Sequence, residues 1–229
     1  MSTKTSGAAR RRPRPAQPAL GRDAIVAAAL AIFREGGLGT VTMRRVAAAL
    51  DTGQASLYAH IRDTGDLHAQ ILDALLAEVA GVPPPVGTWR ARLKGLLRAY
   101  TLLLFRHPEI ARMALATQPS GPHYLALLDA TLALLREGGV DDREAAWGVD
   151  LLLLYATATA AEKSARTPSR WRGELIDLAA RIAAADAAHH PEIARVGPEL
   201  LAGEGPDRSD WGLDVLINGI LGTPRPPGP

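Results

Sequence analysis

Cysteine is absent from this chain of 229 residues, aromatic side chains number only ten, and no apolar run reaches membrane-spanning length. The first absence excludes a disulfide framework, a thiolate nucleophile and any cysteine-ligated zinc or iron–sulfur site. The nearest approach to a membrane span, Ala145–Ala161, is interrupted by Gly148, Asp150, Thr157 and Thr159. It falls short of the ~20 apolar residues a bilayer demands. The first twenty residues lack the apolar stretch of a secretory signal. Net charge is nearly lacking as well, since 26 basic side chains face 24 acidic ones, a formal +2. With 47% hydrophobic residues the chain has ample material for a buried core, which excludes wholesale disorder.

What is present is an uneven distribution of charge. Residues 1–66 carry ten basic and five acidic side chains, and the remainder carries 16 and 19. A basic segment of +5 thus precedes a mildly acidic body of −3. The basic excess is densest in residues 1–20, an arm rich in Ser, Thr, Ala, Pro and Arg with no amphipathic period.

Alanine and leucine dominate the rest, and the apolar period is helical almost throughout. Over 22–34, Ile25, Ala28, Ala29, Ile32 and Phe33 share a face, and Gly36-Gly37 stops the helix. Thr42 is suited to cap a second helix with Val46, Ala49 and Leu50 facing inward. After a break at 51–53, a very short helix is expected over 54–60, and a fourth from 63–66 to about 80. The Gly- and Pro-rich segment 81–87 is the best domain boundary. Further helices are expected over roughly 88–106, 108–116, 122–137, 141–165, 170–189 and 208–221. The hexapeptide His-Pro-Glu-Ile-Ala-Arg occurs at 107–112 and again at 190–195. Each copy reads as a helix junction, with His closing one helix, Pro opening the next and Glu complementing the new N-terminus.

Helix, short break, helix is the geometry of a helix-turn-helix, whose second helix enters the DNA major groove. The side chains suit that chemistry. Thr42 can offer its N–H or hydroxyl to a phosphate, Arg44 can reach guanine or phosphate, and Arg45 a phosphate. Gln54 suits adenine, Ala55 a thymine methyl and Ser56 a base edge, while Tyr58 and His60 can hydrogen-bond phosphates at the rim. A capped helix pair with a polar surface would show the same spacing. The run from Gly21 to Val79 adds more. Its block Thr42-Met-Arg-Arg-Val-Ala-Ala-Ala-Leu50, the following Gln54-Ala-Ser-Leu-Tyr-Ala-His-Ile61 and the helix-opening Asp66-Leu67 resemble the N-terminal domain of the TetR family of transcriptional regulators.

The resemblance implies an all-α protein: a three-helix DNA-binding domain joined by a fourth helix to a helical-bundle ligand-binding and dimerisation domain. It implies DNA contacts by Thr42, Arg44, Gln54, Ala55, Ser56, Tyr58 and His60. It divides the chain into a basic arm (1–20), a DNA-binding domain with its connecting helix (21–80) and a body (88–222). Two positions depart from the family pattern: Asp51 replaces a turn glycine, and Thr64 replaces a lysine that would touch phosphate.

The body holds most of the scarce aromatics. Tyr100, His107, Gln118, Tyr124, Trp147 and Tyr155 are candidates to line a ligand pocket, although each alone reads more readily as core or surface. Asp150, within an apolar helix, suits either a cationic ligand group or a partnered carboxylate at an interface. That helix, apolar on all sides, argues for an oligomer interface. His189, His190 and Glu192 are too divergent on a helix to promise a metal site, and no cofactor is expected. There is no phosphate-cradling loop or nucleophile elbow, so an enzyme is not expected. The expectation is a cytoplasmic, homodimeric, effector-responsive regulator that represses from a palindromic operator. Its rival is a helical small-molecule binder that has lost DNA recognition.

Overall fold

The computed structural model describes residues 20–80, 86–117, 119–164 and 167–226. The basic arm, most of the 81–87 boundary and the pocket candidate Gln118 lie outside them. The described residues form α-helices and two single 3-10 turns, without a strand.

The first three helices, α1 (Arg22–Gly36), α2 (Met43–Ala49) and α3 (Gln54–Tyr58), close around Ile25, Ile32, Phe33, Val46 and Leu57, all buried. The face of α2 differs from the sequence expectation. Val46 is buried and Leu50 partly so, but Ala49 is exposed, and Met43 and Ala47 complete the inward stripe instead. Positions 43, 46, 47 and 50 follow the 3.6-residue period from the N-cap, whereas 49 falls beside that stripe and is turned to solvent. The long helix α4 (Thr64–Ala80) packs against α1 on one side and against the body on the other, with Leu67, Ile71, Leu72, Leu75 and Leu76 buried.

The body contains α5 (Trp89–Arg106), α6 (Pro108–Ala114), α7 (Pro122–Glu137) and α8 (Asp142–Ser164), followed by α9 (Pro168–Ala183), α10 (Pro191–Val196) and α11 (Gly205–Gly222). Helix α8 is the hub, packing on α5, α6, α7 and α11. Helices α5 and α11 are also laced by Lys94 to Asp214 (2.7 Å) and by Arg98 to Asp210. The helix expected over 170–189 starts and stops earlier, at Pro168 and Ala183. Beyond it Asp186 accepts the Ala188 N–H (3.0 Å) and the His190 N–H reaches the Asp186 carbonyl (2.7 Å). An aspartate that satisfies backbone locally in this way favours a turn over a continued helix. Helix α9 packs on α10 and the adjoining 3-10 turn, and Trp171, Ile176 and Leu178 on it are exposed.

Candidate functional site

The helix-turn-helix is assembled by caps and two apolar anchors. Thr42 Oγ1 accepts the Arg45 N–H (3.2 Å), which satisfies one open donor of α2 and leaves the hydroxyl proton for another acceptor. Helix α2 ends in a Schellman turn: the Thr52 N–H reaches the Ala47 carbonyl (3.0 Å) and the Asp51 N–H that of Ala48 (3.2 Å). The turn requires a left-handed residue, and Asp51 adopts φ 49°, the single non-glycine with positive φ among the described residues. This is why a glycine is the easier choice there. The turn forms nonetheless. Val46 and Leu57 are fully buried between the two helices. With Leu57 inward, Gln54, Ala55, Ser56, Tyr58 and His60 all face solvent, as do Thr42, Arg44 and Arg45. All eight expected contact residues therefore lie on exposed positions of one α2–α3 unit. Thr64, the second departure, is the exposed first residue of α4.

Two residues that the sequence marked weakly or not at all fasten this unit to α4. His68 Nε2 donates to the Val41 carbonyl (3.0 Å), immediately before the Thr42 cap. Asp66 accepts the Arg62 N–H (3.0 Å) and the Gln70 amide (3.3 Å), with the Arg22 and Arg62 guanidinia each at 3.6 Å. Burial acts to raise its pKa, but the Arg62 N–H, the Gln70 amide and the two arginines outweigh burial and hold the carboxyl below its ordinary value.

In the body, a cavity of about 320 Å³ opens between α5, α6, α7 and α8. Tyr100, Tyr124, Asp150, Leu153, Leu154 and Thr157 line it, with residues 114–117 at the end of α6. Of the predicted pocket residues, Tyr100 and Tyr124 meet here. Tyr155 lies on a separate recess of about 490 Å³ with Phe105, Lys163 and Leu213. His107 and Trp147 line neither. His107 packs on Phe33 of α1 (centroids 5.3 Å apart), and burial lowers its pKa, favouring the neutral ring. Trp147 is exposed beneath the Arg225 guanidinium, 3.7 Å from its centroid.

Hydrogen bonds at the N-termini of two helices of the cavity wall tie it to α4 and to the segment after α1. Asp73, buried on α4, accepts the Tyr124 backbone N–H (2.8 Å) and pairs with His123 Nδ1 (3.0 Å) in the first turn of α7. Gly121 makes the approach possible, because a Cβ there would collide with the Asp73 carboxylate. At the other end of the cavity wall, the first turn of α6 holds Glu109, whose carboxylate accepts the Leu38 N–H just beyond α1. Both links join residues far apart in sequence and carry no local motif, so sequence reasoning could not find them. At 189–192, His189 hydrogen-bonds Asp186 and Glu192 pairs with Arg195.

Comparison with known proteins matches both halves. Residues 25–70 fit the model described as bacterial regulatory proteins, tetR family, and residues 83–223 the tetracyclin repressor-like C-terminal domain. A solved transcription regulator from Streptomyces coelicolor is 46% identical, covering 93% of this chain and 100% of that one at a TM-score of 0.77. ActR of Streptomyces coelicolor, solved alone and in complex with actinorhodin, is 33% identical, with 90% and 97% covered and a TM-score of 0.74. The HTH-type transcriptional repressor DrrR1 of Streptomyces coeruleorubidus is 28% identical over 223 residues, which span 92% of this chain and 81% of that protein.

Proposed function

Because the chain belongs to the tetR family of bacterial regulatory proteins, we propose that it is a ligand-responsive transcriptional repressor, released from its operator by a small molecule held in the α5–α8 cavity. The observation that carries this reading is that a residue of the cavity wall is hydrogen-bonded to α4, the helix that also holds the residue preceding the Thr42 cap. Tyr124 lines the cavity while its own N–H is held by Asp73 of α4. On the same helix, His68 holds the carbonyl of Val41, next to the Thr42 cap. A ligand that repositions Tyr124 pulls on α4, and α4 holds the carbonyl of the residue before the Thr42 cap. The α6 wall makes a second connection through Glu109 and Leu38. The complex of ActR with actinorhodin supports a small-molecule occupant for a relative of this size.

The working unit is a homodimer. Helix α8 buries Gly148, Leu152, Ala156 and Ala160 within its own subunit but exposes Trp147, Leu151 and Leu154. The adjacent α11 exposes Trp211 and Val215. Burying this apolar face against a second copy would place two α2–α3 units on one side of a palindromic operator, with half-sites about 34–36 Å apart or a multiple of that. Effector binding then favours a dimer whose reading heads no longer match that spacing. Among the described residues no helix is long and apolar enough to cross a membrane, and the operator role places the protein in the bacterial cytoplasm. The family is one of transcription regulators, and no catalytic step is assigned.

The rival reading, a binder without DNA recognition, rested on Asp51 and Thr64. The Schellman turn closes around Asp51, so that departure leaves the α2–α3 geometry intact, while Thr64 removes a phosphate contact without altering the start of α4.

The test is release from DNA. Compounds that raise the thermal midpoint of the full chain are added to its complex with the DNA upstream of its own gene, and binding is followed by fluorescence anisotropy. Wild type should lose affinity by about 5–150-fold, the range of ordinary allosteric coupling. Asp73→Ala should bind the same compound yet release DNA less. Equal DNA affinity of ligand-bound and free wild type would overturn the proposal.

A further inference from the structure

The one charged side chain among the described residues lining the α5–α8 cavity is a carboxylate, and the hydrogen-bond network fixes the direction of the Tyr100 and Thr157 hydroxyls beside it. Thr157 has one hydroxyl proton, and Oγ1 donates it to the Leu153 carbonyl at 2.8 Å. The 2.8 Å contact between Tyr100 and Thr157 must therefore run from the phenol to Thr157, which leaves the Tyr100 oxygen as an acceptor. Burial pushes the Tyr100 phenol up to about 12, so it remains a neutral hydroxyl at any physiological pH. Asp150 on α8 is the ionisable carboxylate of the lining. Among the described residues no lysine, arginine or histidine borders the cavity, and none forms a hydrogen bond or ion pair with Asp150. The Tyr124 phenol is raised by burial and by the charge of Asp150, which places the two within electrostatic reach across the same space. The remaining lining includes Leu115, Pro119, Leu153 and Leu154.

A carboxylate without a partner beside apolar walls favours an occupant that brings a positive charge and donors of its own. We propose that the effector is an aromatic or alicyclic amine whose ammonium group is read by Asp150, with Tyr100 accepting a further hydrogen bond. This rests on the assignment of the α5–α8 cavity as the effector site and names the chemical class that the site selects. An anionic effector would bring its charge against Asp150 with no cation in the lining to compensate it.

A pair of probes with similar bicyclic skeletons and opposite charge tests the inference: 1-naphthylmethylamine and 1-naphthoate, measured at pH 7.5 by equilibrium dialysis against the full chain. The amine should bind at least about tenfold more tightly, as expected for one charge-assisted hydrogen bond. Asp150→Asn should weaken the amine about tenfold and leave the carboxylate unchanged or improved. Asp150→Lys should invert the preference. Because Asp150 is exposed, neither change should move the thermal midpoint by more than a degree or two. Ala116→Trp, at an exposed position of the lining, should obstruct both probes and so locate them. A preference for the carboxylate, or amine binding unmoved by Asp150→Asn, overturns the inference while the cavity assignment stands. If neither probe binds, or Ala116→Trp leaves both unaffected, the cavity assignment falls with it.

Discussion

At Asp51 the chain holds a charged, β-carbon-bearing side chain in left-handed backbone so that α2 can stop and α3 can start. Left-handed conformation costs a non-glycine residue roughly 1–2 kcal/mol, less for aspartate than for most. Glycine would remove that strain but add freedom to the unfolded chain. Asp51→Gly is therefore expected to stabilise by up to about 1 kcal/mol, or roughly 2–4 °C in thermal midpoint. Asp51→Val should destabilise; equal midpoints for all three proteins would remove the strain from consideration. Asp66 has a pH signature. Its folded pKa is depressed, so its contribution is complete above the ordinary aspartate value of about 3.9 and is lost as pH falls through the lower folded value. The stability gap between wild type and Asp66→Asn in urea unfolding should close as pH drops below about 4. A gap that stays constant with pH would show that the Arg22, Arg62 and Gln70 contacts do not act through the charge. The sequence marked Asp51 as a departure from pattern and Asp66 as a helix opener. The strain of the first and the partners of the second depend on backbone angles and on residues brought in by folding.

At the scale of elements, the clearest lesson comes from the repeated hexapeptide. Both copies open a helix with proline in its first turn, as local chemistry dictates. In the first copy Ile110 is fully buried and Glu109 reaches the DNA-binding domain; in the second Ile193 is only partly covered and Glu192 pairs with Arg195 three residues away. The two copies thus share the opening role but not the closing one: His107 caps α5, whereas α9 has already ended at Ala183, so His190 closes no helix, and only the first copy reaches the segment after α1. Helix α8 was legible as an over-apolar element. What its composition could not show is which side faces its own subunit. The exposed Leu151 and the exposed Val215 of α11 mark the other side. Leu151→Glu combined with Val215→Glu should convert the protein to monomers in sedimentation or light scattering while the helical circular dichroism persists. Retention of a dimer would move the interface elsewhere.

Across the whole molecule, the near-zero net charge conceals a division of labour. The segment that carries the helix-turn-helix is basic and the body is mildly acidic. All eight DNA-contact residues expected from the sequence pattern occupy exposed positions on α2 and α3 or beside their ends, because a short helix-turn-helix is fixed by local caps and period. The pocket was less legible: Tyr100 and Tyr124 meet on the cavity, but Tyr155 lines another recess, and His107 and Trp147 line neither. Cavities are made by helix packing over separations such as the 57 residues between Tyr100 and Thr157, which leave no periodic trace. The most direct test of the DNA-reading assignment is the salt dependence of binding to the upstream DNA, measured by fluorescence anisotropy for wild type, Arg44→Ala and Tyr58→Phe. Wild-type affinity should fall steeply as salt rises, and each variant should bind more weakly. If Arg44 touches phosphate, its loss should also lower the slope by about one for each contact removed. Wild-type binding independent of salt, or variants indistinguishable from wild type in both affinity and slope, would contradict the assignment of α2–α3 as the reading head.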